Sequence, residues 1–277
     1  MRLLRPLALL LGVAALAACD KNAVQEITAP APTAGIRFFN FGLNAPNVHF
    51  YAGDRKLSAT SSSSCAAAKN PPVTATDTLC LNAGIQATTG IAYSGVSAAG
   101  QYMGMDPGQY SVVARIVSTT ASLNGDTIAT LPVTVQDGKF YSLYTSGFYD
   151  ATTEATDAFV VEDDFDRTID WTSAYLRLVN ASSNAQPMTL FVNKVGETDL
   201  TAINADVAYK SAGAFVKLAP GAYDLHVRYA GSTTDRIVRT AIGFQAGVVY
   251  TISARGDMTV TSTTATNRPF LDVTANR

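Results

Sequence analysis

The sequence predicts an all-β chain of two tandem antiparallel β-sandwiches behind a leader and a short tether. Three observations carry that reading. Of the 277 residues, 47% are hydrophobic and only 15% charged, enough apolar side chain to fill packed cores. Past the leader, Thr, Ser, Gly, Tyr and Val are abundant and no long helical periodicity appears. The chain also repeats itself, with period-two alternation inside each repeat.

The leader, MRLLRPLALLLGVAALAACDK, has Arg2 and Arg5 ahead of an apolar run from Leu7 to Ala18. The run is shorter than the roughly 20 residues that span a bilayer and has the dimensions of a signal-peptide core. Leu16-Ala17-Ala18-Cys19 resembles the bacterial lipobox. That resemblance implies removal of residues 1–18 and a lipidated Cys19, with acyl chains such as palmitate making the membrane a partner. Each buried methylene contributes about 0.8 kcal/mol, and one chain alone is marginal. The other reading is an ordinary secretory signal cleaved after Ala18. Asp20 resembles an inner-membrane retention signal and leaves the choice of membrane, and of its face, open. The expected location is a bacterial cell envelope.

Residues 19–34 read as the lipidated cysteine and a tether, with Pro30 and Pro32 and no sustained periodicity. Such a segment reaches at most about 50 Å. The net charge of −2, without basic clusters, argues against nucleic acid as a partner.

The first sandwich is expected over 35–166 and the second over 173–277. IRFFNFGLNAPNVHFYAG (36–53) matches LRLVNASSNAQPMTLFVNK (176–194), IAYSG…DPGQYSVVAR (91–115) matches VAYKS…APGAYDLHVR (207–228), and LPVTVQDGKFYSLYTSG (131–147) matches TAIGFQAGVVYTISARG (240–256). Arg37 aligns with Arg177, Tyr93 with Tyr209, Tyr110 with Tyr223, Gly138 with Gly247 and Tyr141 with Tyr250. The first copy carries an insertion at about 52–90. Tyr223, Leu225, Val227 and Tyr229 alternate with Asp224, His226 and Arg228, the pattern of a half-buried strand. Pro107-Gly108 and Pro220-Gly221 read as tight turns feeding the tyrosine strands, as do the turns at Gly138 and Gly247.

This order of opening strand, Pro-containing stretch and [Ala/Asp]-Pro-Gly-x-Tyr turn resembles the domain-of-unknown-function family 4397 (DUF4397). The resemblance covers nearly all of 35–277. It implies immunoglobulin-like sandwiches, often tandem, in secreted or lipid-anchored bacterial proteins, and brings no catalytic residues.

With Cys19 acylated, Cys65 and Cys80 remain as an even pair in an exported protein. A disulfide between them closes a short polar loop and contributes on the order of 3 kcal/mol. Free thiols are the alternative; a metal site needs more ligands than two cysteines.

The chemistry-bearing residues are few. His49 and His226 read as surface histidines. No nucleophile elbow, zinc-helix, Cys-x-x-Cys or phosphate-loop motif occurs, so neither a cofactor nor enzymatic activity is expected. A hydrolase with a site assembled in three dimensions is one alternative. Glu162, Asp163, Asp164 and Asp166, with Asp170, form an acidic run at the junction, a weak Ca²⁺ candidate whose other reading is a solvated linker. Arg255-Gly256-Asp257 spells the integrin tripeptide, but also sits where a hairpin turn is expected. Tyr102, Tyr110, Tyr141, Tyr144 and Tyr149 are either a binding platform or core rings with hydroxyls at the rim.

The function expected is a non-catalytic binding or structural role in a lipid-anchored envelope protein. The insertion and neighbouring loops would contact an envelope protein or polysaccharide. A passive spacer or coat module is the alternative.

Overall fold

The structure is a computed structural model that describes residues 33–53, 55–58, 90–117, 125–165, 168 and 170–276. The leader, Cys19, the tether up to residue 32, Cys65, Cys80 and Asp166 lie outside the described residues, and Ala34, expected in the tether, already belongs to a strand. The first copy supplies β1 (Ala34–Asn40), β2 (Val48–Ala52), β3 (Arg55–Lys56), β4 (Gly95–Val96), β5 (Met103–Met105), β6 (Gly108–Ile116), β7 (Thr127–Val135), β8 (Phe140–Asp150) and β9 (Ala155–Glu162). The second supplies β10 (Ala174–Asn180), β11 (Met188–Lys194), β12 (Thr201–Ala202), β13 (Ser211–Ala212), β14 (Val216–Leu218), β15 (Gly221–Tyr229), β16 (Asp235–Phe244), β17 (Val249–Arg255) and β18 (Phe270–Ala275).

Each copy forms two sheets with the same strand order. In the first they are β4-β1-β8-β9, with β5 also on β1, and β3-β2-β6-β7. In the second they are β13-β10-β17-β18, with β14 on β10, and β12-β11-β15-β16. The fold is all-β and sandwich-like, as expected, with one correction to the antiparallel prediction. β1 runs parallel to β8, Gly35–Asn40 opposite Phe140–Thr145, and β10 runs parallel to β17. The chain visits the opposite sheet between these partners, so no hairpin dictates their relative direction.

The alternation holds where it was predicted. Tyr223, Leu225 and Val227 enter the second core with Leu176, Leu190 and Ile252, while Asp224, His226 and Arg228 stay half-exposed. In the first core Phe38 stacks on Phe50, with ring centroids 4.8 Å apart. The Pro-Gly turns differ from expectation in mechanism. Gly108 and Gly221 are the first residues of their strands. Each turn is held by the following tyrosine, whose hydroxyl donates to the Asp106 or Ala219 carbonyl, both at 2.8 Å. Gly221 takes the expected positive φ (156°) and Gly108 does not, while Gly138 (φ 72°) and Gly247 (φ 74°) are left-handed. The insertion also starts later than predicted. β3 pairs with β2, and Leu57 N–H donates to the Phe50 carbonyl at 2.7 Å, so Arg55, Lys56 and Leu57 continue the sheet.

β1 is buried along its whole length, as is nearly all of β10. A strand at a sandwich surface would alternate; these have both faces covered. Ile36 and Phe38 face their own core, while Phe39, with Phe41, Tyr144, Phe159 and Val161, meets Val179 and Ala181 of the second copy. The two parallel-pair sheets therefore pack against each other, and Pro32–Arg277 forms one compact unit.

Candidate functional site at the seam between the copies

Arg37 and Arg177 stand at equivalent positions of β1 and β10, on the face turned away from each core. Arg37 Nε donates to Ser142 Oγ at 2.8 Å, and its Nη1 reaches across to the Ala275 carbonyl at 2.9 Å. Arg177 mirrors this: Nε donates to Thr251 Oγ1 at 3.1 Å, and Nη1 crosses to the Glu162 carbonyl at 2.8 Å. Arg177 Nη2 pairs with Asp163, whose carboxylate also accepts from Ser142 Oγ at 2.6 Å and Tyr102 Oη at 2.5 Å. Arg37 Nη2 lies 3.7 Å from the same carboxylate and has no hydrogen-bond acceptor among the described residues.

The symmetry is broken at one residue. Tyr141 pairs with Glu162 and Tyr250 with Ala275, so the next residue, Asp163 in one copy, is Asn276 in the other. Asn276 accepts from Thr251 Oγ1 at 2.8 Å and donates to Tyr102 Oη at 2.8 Å. Two guanidiniums thus share one carboxylate. The side chains of Arg37 and Asp163 are 0% exposed and that of Arg177 is 3% exposed. Charges so far from water persist only with their partners in place. Tyr102 and Phe215 cover the guanidiniums of Arg37 and Arg177, at 4.7 Å and 4.5 Å from the ring centroids. Burial, then the neighbouring Asp163 carboxylate, pushes the Tyr102 hydroxyl well above its ordinary range, so it remains a proton donor.

The aligned tyrosines Tyr93 and Tyr209 close the seam by reaching into the opposite copy. Tyr209 Oη lies 2.7 Å from Ser146 Oγ and donates to Asp157 at 3.0 Å, and Lys210 joins that carboxylate at 2.9 Å. Tyr93 Oη accepts from Arg255 Nη1 at 3.2 Å, while Arg255 pairs with Asp272. Between these edges Tyr144 stacks on Phe39 (4.5 Å, 12°) and on Phe159 (4.9 Å, 13°).

The other predicted residues are dispersed. His49 is not at the surface: it is 1% exposed, with Nδ1 3.1 Å from Ser58 Oγ. His226 is half-exposed, with Nδ1 2.8 Å from Asp235 Oδ2 and Nε2 3.0 Å from Asn193 Oδ1. Both of its ring nitrogens are engaged, and none of those partners is a nucleophile. Glu162 pairs with Lys139 at 2.5 Å, Asp164 is exposed and 3.9 Å from the same ammonium, and Asp170 accepts from Thr172. The acidic run is not a solvated linker throughout, since Asp163 is buried under both copies. Among the described residues no group of three or more His, Cys, Asp or Glu converges as a metal site requires.

Arg255 of the tripeptide is 7% exposed and bound to Asp272, and no strand pairs with β17 at 258–262; its partner is β18. Of the five tyrosines, Tyr144 bonds Ser253, Tyr110 the Asp106 carbonyl and Tyr102 Asp163, while Tyr141 accepts from Gln136 N–H. Those four are packed rings with bonded hydroxyls, and the half-buried Tyr149 packs its ring against the first core.

Burial pushes the Asp235 carboxyl up, but hydrogen bonds from Arg228 and His226 outweigh it and hold it below the usual range. A depressed folded-state pKa contributes stability that is complete above the unfolded value, about 3.9, and lost as pH falls through the folded one. Asp235→Asn is therefore expected to lower stability near neutral pH. Its difference from wild type should shrink as the pH drops below about 4, read by urea denaturation across pH.

Sequence reasoning missed Asp163, Ser142, Tyr102 and Asn276 as one network. The available signal was an arginine recurring at the same place in two otherwise apolar strands.

No curated protein matches this chain significantly. Among solved structures, a candidate cell adhesion protein of Bacteroides fragilis aligns at 8% identity and TM-score 0.23, covering 89% of this chain and 98% of that one. A second, from Bacteroides ovatus, aligns at 10% identity and TM-score 0.21, covering 90% and 97%. The family described as "Domain of unknown function (DUF4397)" matches residues 34–191 and again 174–276. With two matches spanning both sets of sheets, the chain belongs to the DUF4397 family, in tandem.

Proposed function

We propose that the chain is a non-catalytic, lipid-anchored envelope protein whose two sandwiches are fastened into one block that presents its loops to an envelope partner. The observation that carries this reading is the seam. Its buried charges are spent on joining the copies, and both histidines are held by structural hydrogen bonds. A block of this kind gives loops a fixed base, which lowers the entropy lost when they bind. The anchor is Cys19, and the contact surface includes the segment containing Cys65 and Cys80.

Cells fed an alkyne fatty acid are expected to label the wild-type chain and not Cys19→Ala, with the variant leaving the membrane fraction. Envelope crosslinking is expected to recover one consistent partner, lost when residues 60–84 are deleted while the circular dichroism spectrum is kept. An unlabelled wild-type chain, or the same crosslinks from the deletion, would refute the reading.

A further inference from the structure

The second copy carries a groove lined by β16, β18 and the loop between β17 and β18. It lies between β16 and β18, under the irregular loop 256–269, and has a volume of about 550 Å³. In the first copy β8 and β9 continue as a hairpin to a tight connection at 151–154. In the second, the strands stop at Arg255 and Phe270. The loop is closed at its base: Asp257 N–H donates to the Asn267 carbonyl at 2.8 Å, and Asn184 donates to Asp257 Oδ1 at 2.7 Å. Gly256 (φ 101°) permits that closure, since a Cβ there would lie 2.1 Å from the Arg268 carbonyl oxygen.

Three arginines line the groove: Arg236, Arg239 and Arg268. Strand register pairs Arg239 with Leu225, and pairs Leu131 with Val112 in the first copy, so a guanidinium stands where the other copy has a half-buried leucine. Each arginine is steadied by one backbone carbonyl: Met258 at 3.4 Å, Leu271 at 2.7 Å and Ala265 at 2.9 Å, respectively. Each also lies over a ring, Arg236 over Tyr229 and the other two over Phe270, at about 5 Å. One carbonyl uses one of a guanidinium's five N–H donors, and among the described residues no carboxylate pairs with any of the three. Asp235, the acid in the lining, is already bound by Arg228 and His226. Thr261 and Thr263 add exposed hydroxyls to the opposite wall.

We infer that this groove binds an anionic saccharide, the guanidiniums taking a sugar carboxylate and the threonines its hydroxyl groups. Fixed guanidinium forks match a planar carboxylate, and the volume falls within the range of small-ligand sites. This names the partner chemistry within the binding role proposed above and rests on that role. The test is calorimetry on the full chain in detergent with trigalacturonate, its methyl ester and inorganic phosphate. Trigalacturonate is expected to bind and the methyl ester to bind at least tenfold more weakly. The exposed-side pair Arg236→Gln/Arg268→Gln is expected to weaken trigalacturonate at least tenfold with an unchanged melting temperature, and Arg239→Lys to retain part of the affinity. No trigalacturonate binding, equal binding of the ester, or full affinity in both variants overturns the inference. So does binding of phosphate alone, which would make the groove a simple anion site. Deleting 60–84 or replacing Cys19 leaves this binding unchanged, so failure here is separable from failure of the anchoring and crosslinking experiments.

Discussion

Asp163→Ala is expected to destabilise the folded chain by about 3–5 kcal/mol, the usual cost of stranding a buried charge. The reason is the charge count at the seam: two guanidiniums, each nearly or fully excluded from water, and one carboxylate. Removing it leaves both cations buried, and leaves the Tyr102 and Ser142 hydroxyls without their acceptor. Asp163→Asn keeps the shape and one acceptor oxygen but not the charge, so its loss should be smaller. Replacing Arg37, Asp163 and Arg177 together by apolar residues should cost less than Asp163→Ala, because the stranded charge, rather than the missing pair, dominates the penalty. Urea denaturation followed by circular dichroism measures all three. A midpoint unchanged in Asp163→Ala would mean that water reaches the arginines and that the seam is open in solution.

Tyr144→Ala is expected to cost about 3–5 kcal/mol, as for other buried aromatic truncations, and to split one unfolding transition into two. Tyr144 is fully buried, stacks between Phe39 and Phe159, and tilts against Phe41. Its hydroxyl is 3.5 Å from Ser253 Oγ of the opposite copy. The ring sits in the apolar patch between the sheets and contributes to neither sandwich core. Its removal should therefore leave each sandwich internally sound while weakening what makes them unfold together. Calorimetry would show the separation, and a truncation in a core proper, Phe38→Ala, provides the contrast: it should lower the first copy's own stability. A single transition in Tyr144→Ala at the wild-type temperature would show that the copies are not coupled through this patch.

The divergence between the copies follows the same physical logic. A duplicated module that packs on its twin must keep the residues that touch the twin. Arg37 and Arg177, Tyr93 and Tyr209 are retained and all reach across the seam. The parts facing solvent are free to differ, and there the second copy has its arginine groove.

Some of this was determined by the sequence alone. Period-two alternation at Tyr223–Tyr229 assigns faces to a strand whatever surrounds it, because successive side chains must point opposite ways. The repeat order specifies two like modules, and the turns at Gly138 and Gly247 follow from the local need for a left-handed residue. The direction of β1 against β8, the burial of His49 and the meeting of Arg37, Arg177 and Asp163 were decided only in the tertiary structure. Each depends on contacts between residues distant in sequence, and alternation reports that a face is turned outward without reporting what will cover it. An arginine on such a face looks solvated until a second sheet arrives to bury it.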